Sequence, residues 1–203
     1  AEYSANIDAW VKVDDVCKGQ KAIKDKGKTY LPKPVTFEDA EYDEYLARAV
    51  FYGVVGRTHK SNVGQAFNKL PDFKRPDDLE YLERNSDGSG RSIYQNSQRA
   101  LDLIQRHYRC GIYVDYPQVG PSRSRAEDKQ KNAFPMIHVL NSKSIHDWDY
   151  IIVGNQKKLS FVKILESVAT RTADGFGRET KDQYRILRLE DAGQGDFIYT
   201  VQI

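Results

Sequence analysis

The chain has 203 residues, 39% of them hydrophobic and 30% charged, with a formal net charge of +2. That length carries a genuine core, as one full domain or as a large and a small lobe. No apolar run approaches the ~20 residues of a bilayer span and no signal-type segment opens the chain, which points to a soluble, intracellularly made product.

In chain order, Ile7, Trp10, Val11, Val13 and Cys17 recur at helical steps and predict a helix over Ala5–Lys24 with Ser4 as N-cap. Gly27 stops that pattern. Pro32 and Pro34 hold Thr29–Pro34 extended, because the residue before a proline avoids α geometry. A second helix is expected over Glu41–Val55, with Tyr42, Tyr45, Leu46, Ala49, Phe51 and Tyr52 as its apolar face. Gly53 and Gly56 separate it from a third over His59–Lys69, capped by Thr58 and ended by Pro71 and Pro76. Leu79–Leu82 reads as one short turn of helix, and Asp87-Gly-Ser-Gly90 as a tight turn. Ser92-x-x-Gln95 is a capping box opening a helix whose stripe is Ala100, Leu101, Ile104 and Tyr108, with Gly111 at its end. Trp10, Phe51 and Leu101 are expected on the helical side of the core.

Beyond Gly111 the period changes to two. Strands are predicted over Ile112–Tyr116, Met136–Leu140, Leu159–Leu165, Tyr184–Leu189 and Phe197–Val201. Helices followed by strands imply an α+β fold, with N-terminal helices packed on a mostly antiparallel sheet. The division is a mainly helical 1–110 and a mainly β 111–203, within one compact domain. Between Pro117 and Phe134 lies a long polar loop, expected to be mobile because it has too little apolar surface to offset its ordering cost. The chain opens on Ala1, has Met136 as its only methionine and ends on a strand-like run without a following turn. It therefore reads as part of a longer polypeptide.

Candidate chemistry is sparse. Asp72 with Glu127-x-Lys129 has the residue types of a metal-dependent nuclease, but that chemistry needs Glu-x-Lys on a strand beside the metal, and here it sits in the polar loop. The Asp87 turn lacks the ligand alternation of a calcium loop, and its twelfth position is Gln98. His59, His107, His138 and His146 show no paired metal spacing, and His107 falls off its helix stripe, toward solvent. Cys17 and Cys110 read as buried thiols and not as a disulfide framework. No serine elbow or phosphate loop is present. The expectation is a non-enzyme with no cofactor, metal or catalytic residue. With the net charge near zero, any nucleic-acid contact needs a local patch, and Arg123, Arg125, Lys129 and Lys131 in the polar loop are the candidates.

One resemblance organises these observations. Tyr30-Leu-Pro-Lys33 matches the "YLP(R/K)" step of tailed-bacteriophage (or prophage) portal proteins. Arg48-Ala-Val-Phe-Tyr52, Gly56-Arg-Thr58, Val63-Gly64 and Phe67-Asn-Lys69 follow the family's "RAVFYNxTGRTVxGLVGxxFRK" helix pair. The family's basic residue before the last lysine is Asn68 here. Further on, Gly111-Ile-Tyr-Val-Asp-Tyr-Pro117 resembles "GxxxVDYP", Ser144-Ile-His-Asp-Trp148 a "(S/N)IxxW" turn, and Asp182-Gln-Tyr-Arg-Ile-Leu187 "xQYRVL". The resemblance runs in order along nearly the whole chain.

It implies the N-terminal or wing portion of a portal subunit, in a homo-oligomeric ring usually of twelve, at one vertex of a virion assembled in the host bacterial cytoplasm. DNA passes through such a ring. The partners implied are the major capsid, scaffold, terminase and head-completion proteins, with no membrane. Tyr45, Arg48, Tyr52 and Arg57 are the expected subunit contacts, and the isolated chain is expected to be monomeric or weakly associated. The alternatives are a stand-alone nucleic-acid-binding module using the basic loop, or a metal-dependent nuclease or hydrolase.

Overall fold

The structure, a computed structural model, describes residues 2–117, 124–131, 133–193 and 196–203. The fold is α+β, with the helices N-terminal to antiparallel sheets. It divides into a unit of Asp8–Val139 and a unit of Ala1–Ile7 with Leu140–Ile203. The boundary between the units falls near residue 140, whereas the change from helices to strands comes at Gly111. The reason is strand pairing: β1 (Gly111–Asp115) and β2 (Met136–Leu140) form their own two-stranded sheet, apart from the four-stranded one, so the first strands stay with the helices.

In the helical unit, the helix expected over Ala5–Lys24 is two helices. α1 runs Glu2–Lys18, starting ahead of Ser4, and α2 runs Gln20–Asp25; Gly19 between them takes φ 91°, which a residue with a Cβ rarely adopts. Thr29 and Tyr30 are not extended as expected. A 3-10 turn occupies Gly27–Thr29, and the amides of Tyr30 and Leu31 both donate to the Gly27 carbonyl. The irregular run begins only at the prolines.

α3 covers Asp39–Arg48 and α4 covers Val54–Ala66. The helix expected to reach Val55 thus stops early, and Thr58 lies inside α4 instead of capping a later helix. Ala49 leaves the helix at ψ 133°, as the β-branched and aromatic run Val50-Phe-Tyr52 begins, and Gly53 becomes the N-cap. Gly56 is buried where α4 meets α1, and a Cβ there would stand 2.5 Å from the Cys17 carbonyl oxygen. Tyr42 is buried and donates to the Leu31 carbonyl at 2.9 Å. Trp10 is buried as expected, whereas Phe51 and Leu101 are half-buried.

α5 (Ile93–His107) opens on the capping box read from the sequence: Gln95 N donates to Ser92 Oγ at 3.2 Å, and Ser92 N to Gln95 Oε1 at 2.9 Å. It ends at Tyr108, in the left-handed region with φ 61°, and Gly111 instead opens β1. The buried face is Asn96, Leu103 and His107; Ile104 and Tyr108, expected in the stripe, are exposed. An apolar-only count missed this face because two of its members are polar. Asn96 Nδ2 donates to Ser86 Oγ at 2.7 Å and to the Ile137 carbonyl at 3.0 Å, tying α5 to the Asp87 turn and to β2.

The second unit holds a four-stranded antiparallel sheet in the order β3-β4-β5-β6. Its strands are β3 (Ile145–Val153), β4 (Gln156–Arg171), β5 (Arg178–Gly193) and β6 (Asp196–Gln202). β3 was not expected, since its first residues read as a turn; the turn is the 3-10 segment Ser142–Ser144 just before it. Val162 pairs with Leu187 beside Ile164, and these are the unit's buried apolar residues in β4 and β5. β4 and β5 are each 16 residues long, well beyond the expected strands, because their pairing continues out to Arg171 and Arg178 through exposed residues. The ring of Tyr3 lies 4.5 Å from that of His146, which in turn meets Tyr184 edge-on at 5.5 Å.

Two glycines of α4 should respond oppositely to alanine. Gly56→Ala drives a methyl into the Cys17 carbonyl and should cost about 1–3 kcal/mol. Gly64→Ala, with open space around it, should gain about 0.5–1 kcal/mol from helix propensity. Urea denaturation of the two variants checks both signs.

The Asp87 turn predicts a pH dependence. Burial alone would raise the Asp87 carboxyl, but bonds from Ser89 and Arg91 more than offset this and hold it at about 2, against an ordinary 3.8. A depressed folded pKa adds stability that is fully present above about pH 4 and is lost as pH falls through about 2. Asp87→Asn should thus cost about 2 kcal/mol at neutral pH. In urea titrations the gap from the parent should narrow steadily below about pH 4.

Candidate functional site

The expected contact residues lie around the α3–α4 junction. There the chain leaves α3 and exposes apolar side chains in succession: Val50 is 83% and Tyr52 72% accessible, and Val54 and Val55 are exposed as well. The Arg57 guanidinium lies over the Tyr52 ring at 5.7 Å, so these two residues are brought together on the surface. Arg48 is exposed at the end of α3. Tyr45 is used differently: it is half-buried, with Phe37 edge-on at 6.0 Å and Tyr42 at 6.2 Å.

Two grooves flank the junction. One, of about 230 Å³, is walled by Val16, Ile23, Leu31, Val50 and Phe51, with Lys12 and Lys24 also lining it. The other, of about 530 Å³, is lined by Val13, Cys17, Val54, Val55, His59 and Arg106 among others. The junction is a concave, largely apolar surface with cations around it, the composition of a contact surface.

Beneath the second groove runs a polar seam that the sequence reading missed. His107 is wholly enclosed, contrary to the solvent-facing expectation, and its Nε2–H donates to Asp14 Oδ1 at 3.0 Å. Arg106 Nη1 donates to the same oxygen at 2.8 Å, and its Nη2 reaches Asp102 Oδ2. Asp102 Oδ1 accepts from His59 Nε2 at 2.6 Å. Burial would raise the Asp102 carboxyl, but the bonds from His59 and Arg106 keep it below the ordinary range. α1, α4 and α5 are joined by five side chains. The readable signs were the i,i+4 pair Asp102–Arg106 and the two aspartates, Asp14 and Asp15, set within an apolar stripe.

Cys17, His59 and Asp102 share this neighbourhood in a way that invites a thiol-nucleophile reading. Burial raises the Cys17 thiol above its ordinary value, with Arg106 opposing and Asp14 and Asp102 adding to the rise. Among the described residues no hydrogen bond joins it to His59. The thiolate that such chemistry requires is therefore disfavoured.

Of the residues expected to meet nucleic acid, the structure describes only part. Arg123 lies outside the described residues, as do 118–122 and 132 of the polar loop. Arg125 and Lys129 fall on a short helix, α6 (Arg125–Gln130), within what was expected to be loop. Lys131 is engaged by Glu127 at 2.8 Å. Of the nuclease-like set, Asp72 is exposed with Lys74 at 3.9 Å, and Glu127 serves Lys131. Among the described residues no helix is long and apolar enough to cross a membrane, and no group of three or more metal-ligand side chains converges. No family model matches the chain, and no curated protein matches it.

Removing Asp14 should be far costlier than removing His59. Asp14→Ala leaves the Arg106 guanidinium and the enclosed His107 imidazole facing a site that excludes water, an expected loss on the order of 3–5 kcal/mol. His59→Ala, at the groove's edge, should cost less than half of that. Equilibrium urea denaturation orders the two; equal losses would show that Asp14 is not the anchor of the seam.

Proposed function

We propose that this chain is the wing portion of a tailed-phage portal subunit, a structural component of a ring through which DNA is packaged and ejected. The observation that carries the reading is the α3–α4 junction. The residues of the portal-like helix pair, Arg48–Tyr52 and Gly56–Thr58, surround an exposed apolar surface with two adjoining grooves, braced from behind by a buried ion network. A motif conserving only the fold would bury its apolar residues. Val50 and Tyr52 face water, which suits residues that meet another subunit. A closed ring needs two different complementary faces on each subunit, and this surface supplies one. On this reading the chain performs no catalytic step and holds no cofactor, and its partners are copies of itself with the capsid, scaffold, terminase and head-completion proteins of a virion.

The nucleic-acid-binding alternative gains less support, because Lys131 is already paired and Glu127 and Asp128 dilute the charge of α6.

Negative-stain imaging of the gene product containing this chain tests the proposal. Rings are expected, and Val50→Asp should abolish them while far-UV circular dichroism stays unchanged, since the side chain is exposed. A protein that stays monomeric, or rings indifferent to Val50→Asp, would refute the junction as a subunit contact.

A further inference from the structure

We propose that the distal β4–β5 ribbon is an arm whose tip residue, Phe176, docks into the 230 Å³ groove of a second copy of this chain. The inference rests on reading the α3–α4 junction as a subunit contact and names the element that fills it.

The arm follows from register. β3 pairs with β4 only over Gln156–Ile164, and β6 pairs with β5 only over Ile186–Gly193. Leu165–Arg171 and Arg178–Tyr184 therefore pair only with each other among the described strands. They form a two-stranded ribbon about 20 Å long. From Ser167 to Arg171 and from Arg178 to Asp182 every residue is exposed. Nothing in such a ribbon builds a core, and an isolated hairpin is marginal in water.

Its tip is nevertheless tightly organised. Gly177 N donates to Thr172 Oγ1 at 2.8 Å, Phe176 N to Asp174 Oδ1 at 3.1 Å, and Arg171 Nη1 to the Gly175 carbonyl at 3.0 Å. Gly175 takes φ 77°, turning the chain so that Phe176 stands 92% accessible. A large aromatic held out by a hydrogen-bonded turn has already met the ordering cost of binding.

The groove fits it in size and charge. An apolar cavity of about 150 Å³ suffices for a benzene ring, so 230 Å³ walled by Val16, Ile23, Leu31 and Val50 accommodates a phenyl side chain. Lys12 and Lys24 line the groove, and Asp174, fully exposed two residues before Phe176, brings the opposite charge. Knob and hole occur on the same chain at different places, so the contact is head-to-tail and leaves a free knob and a free hole on every pair. That is the geometry of rings and filaments rather than of closed dimers. One aromatic anchor buries only about 150–250 Å², far short of the roughly 1,200 Å² of a stable interface. The free chain should consequently associate only at high concentration.

Sedimentation equilibrium of the purified chain, up to the highest soluble concentration, reads this directly. The parent should show mass rising with concentration through dimer and trimer, and Phe176→Ala and Val50→Asp should each remain monomeric. Circular dichroism should be unchanged in both, because both side chains are exposed. The decisive sample is the equimolar mixture: the first variant keeps its groove and the second its knob, so the mixture should form dimers and stop there. Failure of the mixture to dimerise, or a parent that never associates, overturns the proposal. Association lost in Val50→Asp but retained in Phe176→Ala overturns the arm while leaving the junction as a subunit contact. A monomeric parent whose melting temperature falls in Phe176→Ala would mean that the tip docks within its own chain.

Discussion

The helical unit depends on one carboxylate. Asp14 Oδ1 accepts from both Arg106 and His107, which holds α1 against α5 across more than ninety residues of sequence. Arg106 then reaches Asp102, and Asp102 reaches His59 on α4, so the third helix is fixed by the same chain of charges. Taking these groups out of water is expensive, and a well-packed apolar seam would serve stability as well. What the ionic seam adds is geometry, since each bond has a direction and a register. The backbone of Cys17 can approach Gly56 only if α1 and α4 are held at that distance and angle, and Gly56 has no Cβ to prevent it. The exposed Val50–Val55 surface is carried on α4 and the segment before it, so its shape is inherited from a carboxylate it does not touch.

The sequence made this arrangement only partly visible, for reasons that differ from element to element. Ser92 and Gln95 announced the start of α5 because a capping box is a local device whose partners lie within one turn. The centres of β4 and β5 were visible because Leu159–Leu165 and Tyr184–Leu189 are short runs rich in apolar and β-branched residues, and they carry the buried Val162, Ile164 and Leu187. The distal ribbon was not, because a strand exposed on both faces has no hydrophobic period to detect. His107 was misread for the opposite reason. Its burial depends on an aspartate more than ninety positions away, and an apolar stripe drawn through Ile104 and Tyr108 points to the wrong side of the helix. The α3–α4 break was misplaced because Val50, Phe51 and Tyr52 fit a helical face on paper, yet their branched and aromatic side chains favour extended backbone. Of the expected contact residues, Tyr52 and Arg57 stand together on the surface. Tyr45 packs inward on Phe37, a distinction that spacing alone does not make.

The two units solve the problem of order in different ways, and the difference bears on how each can serve in an assembly. The helical unit spends its buried volume on directional polar links, with Ser86 and Asn96 around the Asp87 turn and Asp14 between the helices. Its surface features are thereby fixed by the chain's own contacts. The sheet unit has a small apolar centre, and its edges carry exposed Ile152, Ile198 and Tyr199. Its order comes from long antiparallel registers, which position elements over distance at little cost in core.

On the proposed reading, a rigid receiving surface and an extended arm are complementary requirements of weak, repeated contacts. If each contact between neighbours were individually strong, subunits would polymerise as soon as they were made, into filaments as readily as into rings. A contact anchored by one aromatic ring stays open in dilute solution. It becomes effectively permanent only when closure or a scaffold makes each new contact intramolecular, because the effective concentration then replaces the bulk one. On the proposed reading, the accessible Phe176 and the uncovered Val50 are therefore matched in strength to an assembly that forms on demand. Enlarging the apolar tip would strengthen each pair, but it would remove the distinction between a subunit waiting for its partners and one that has found them.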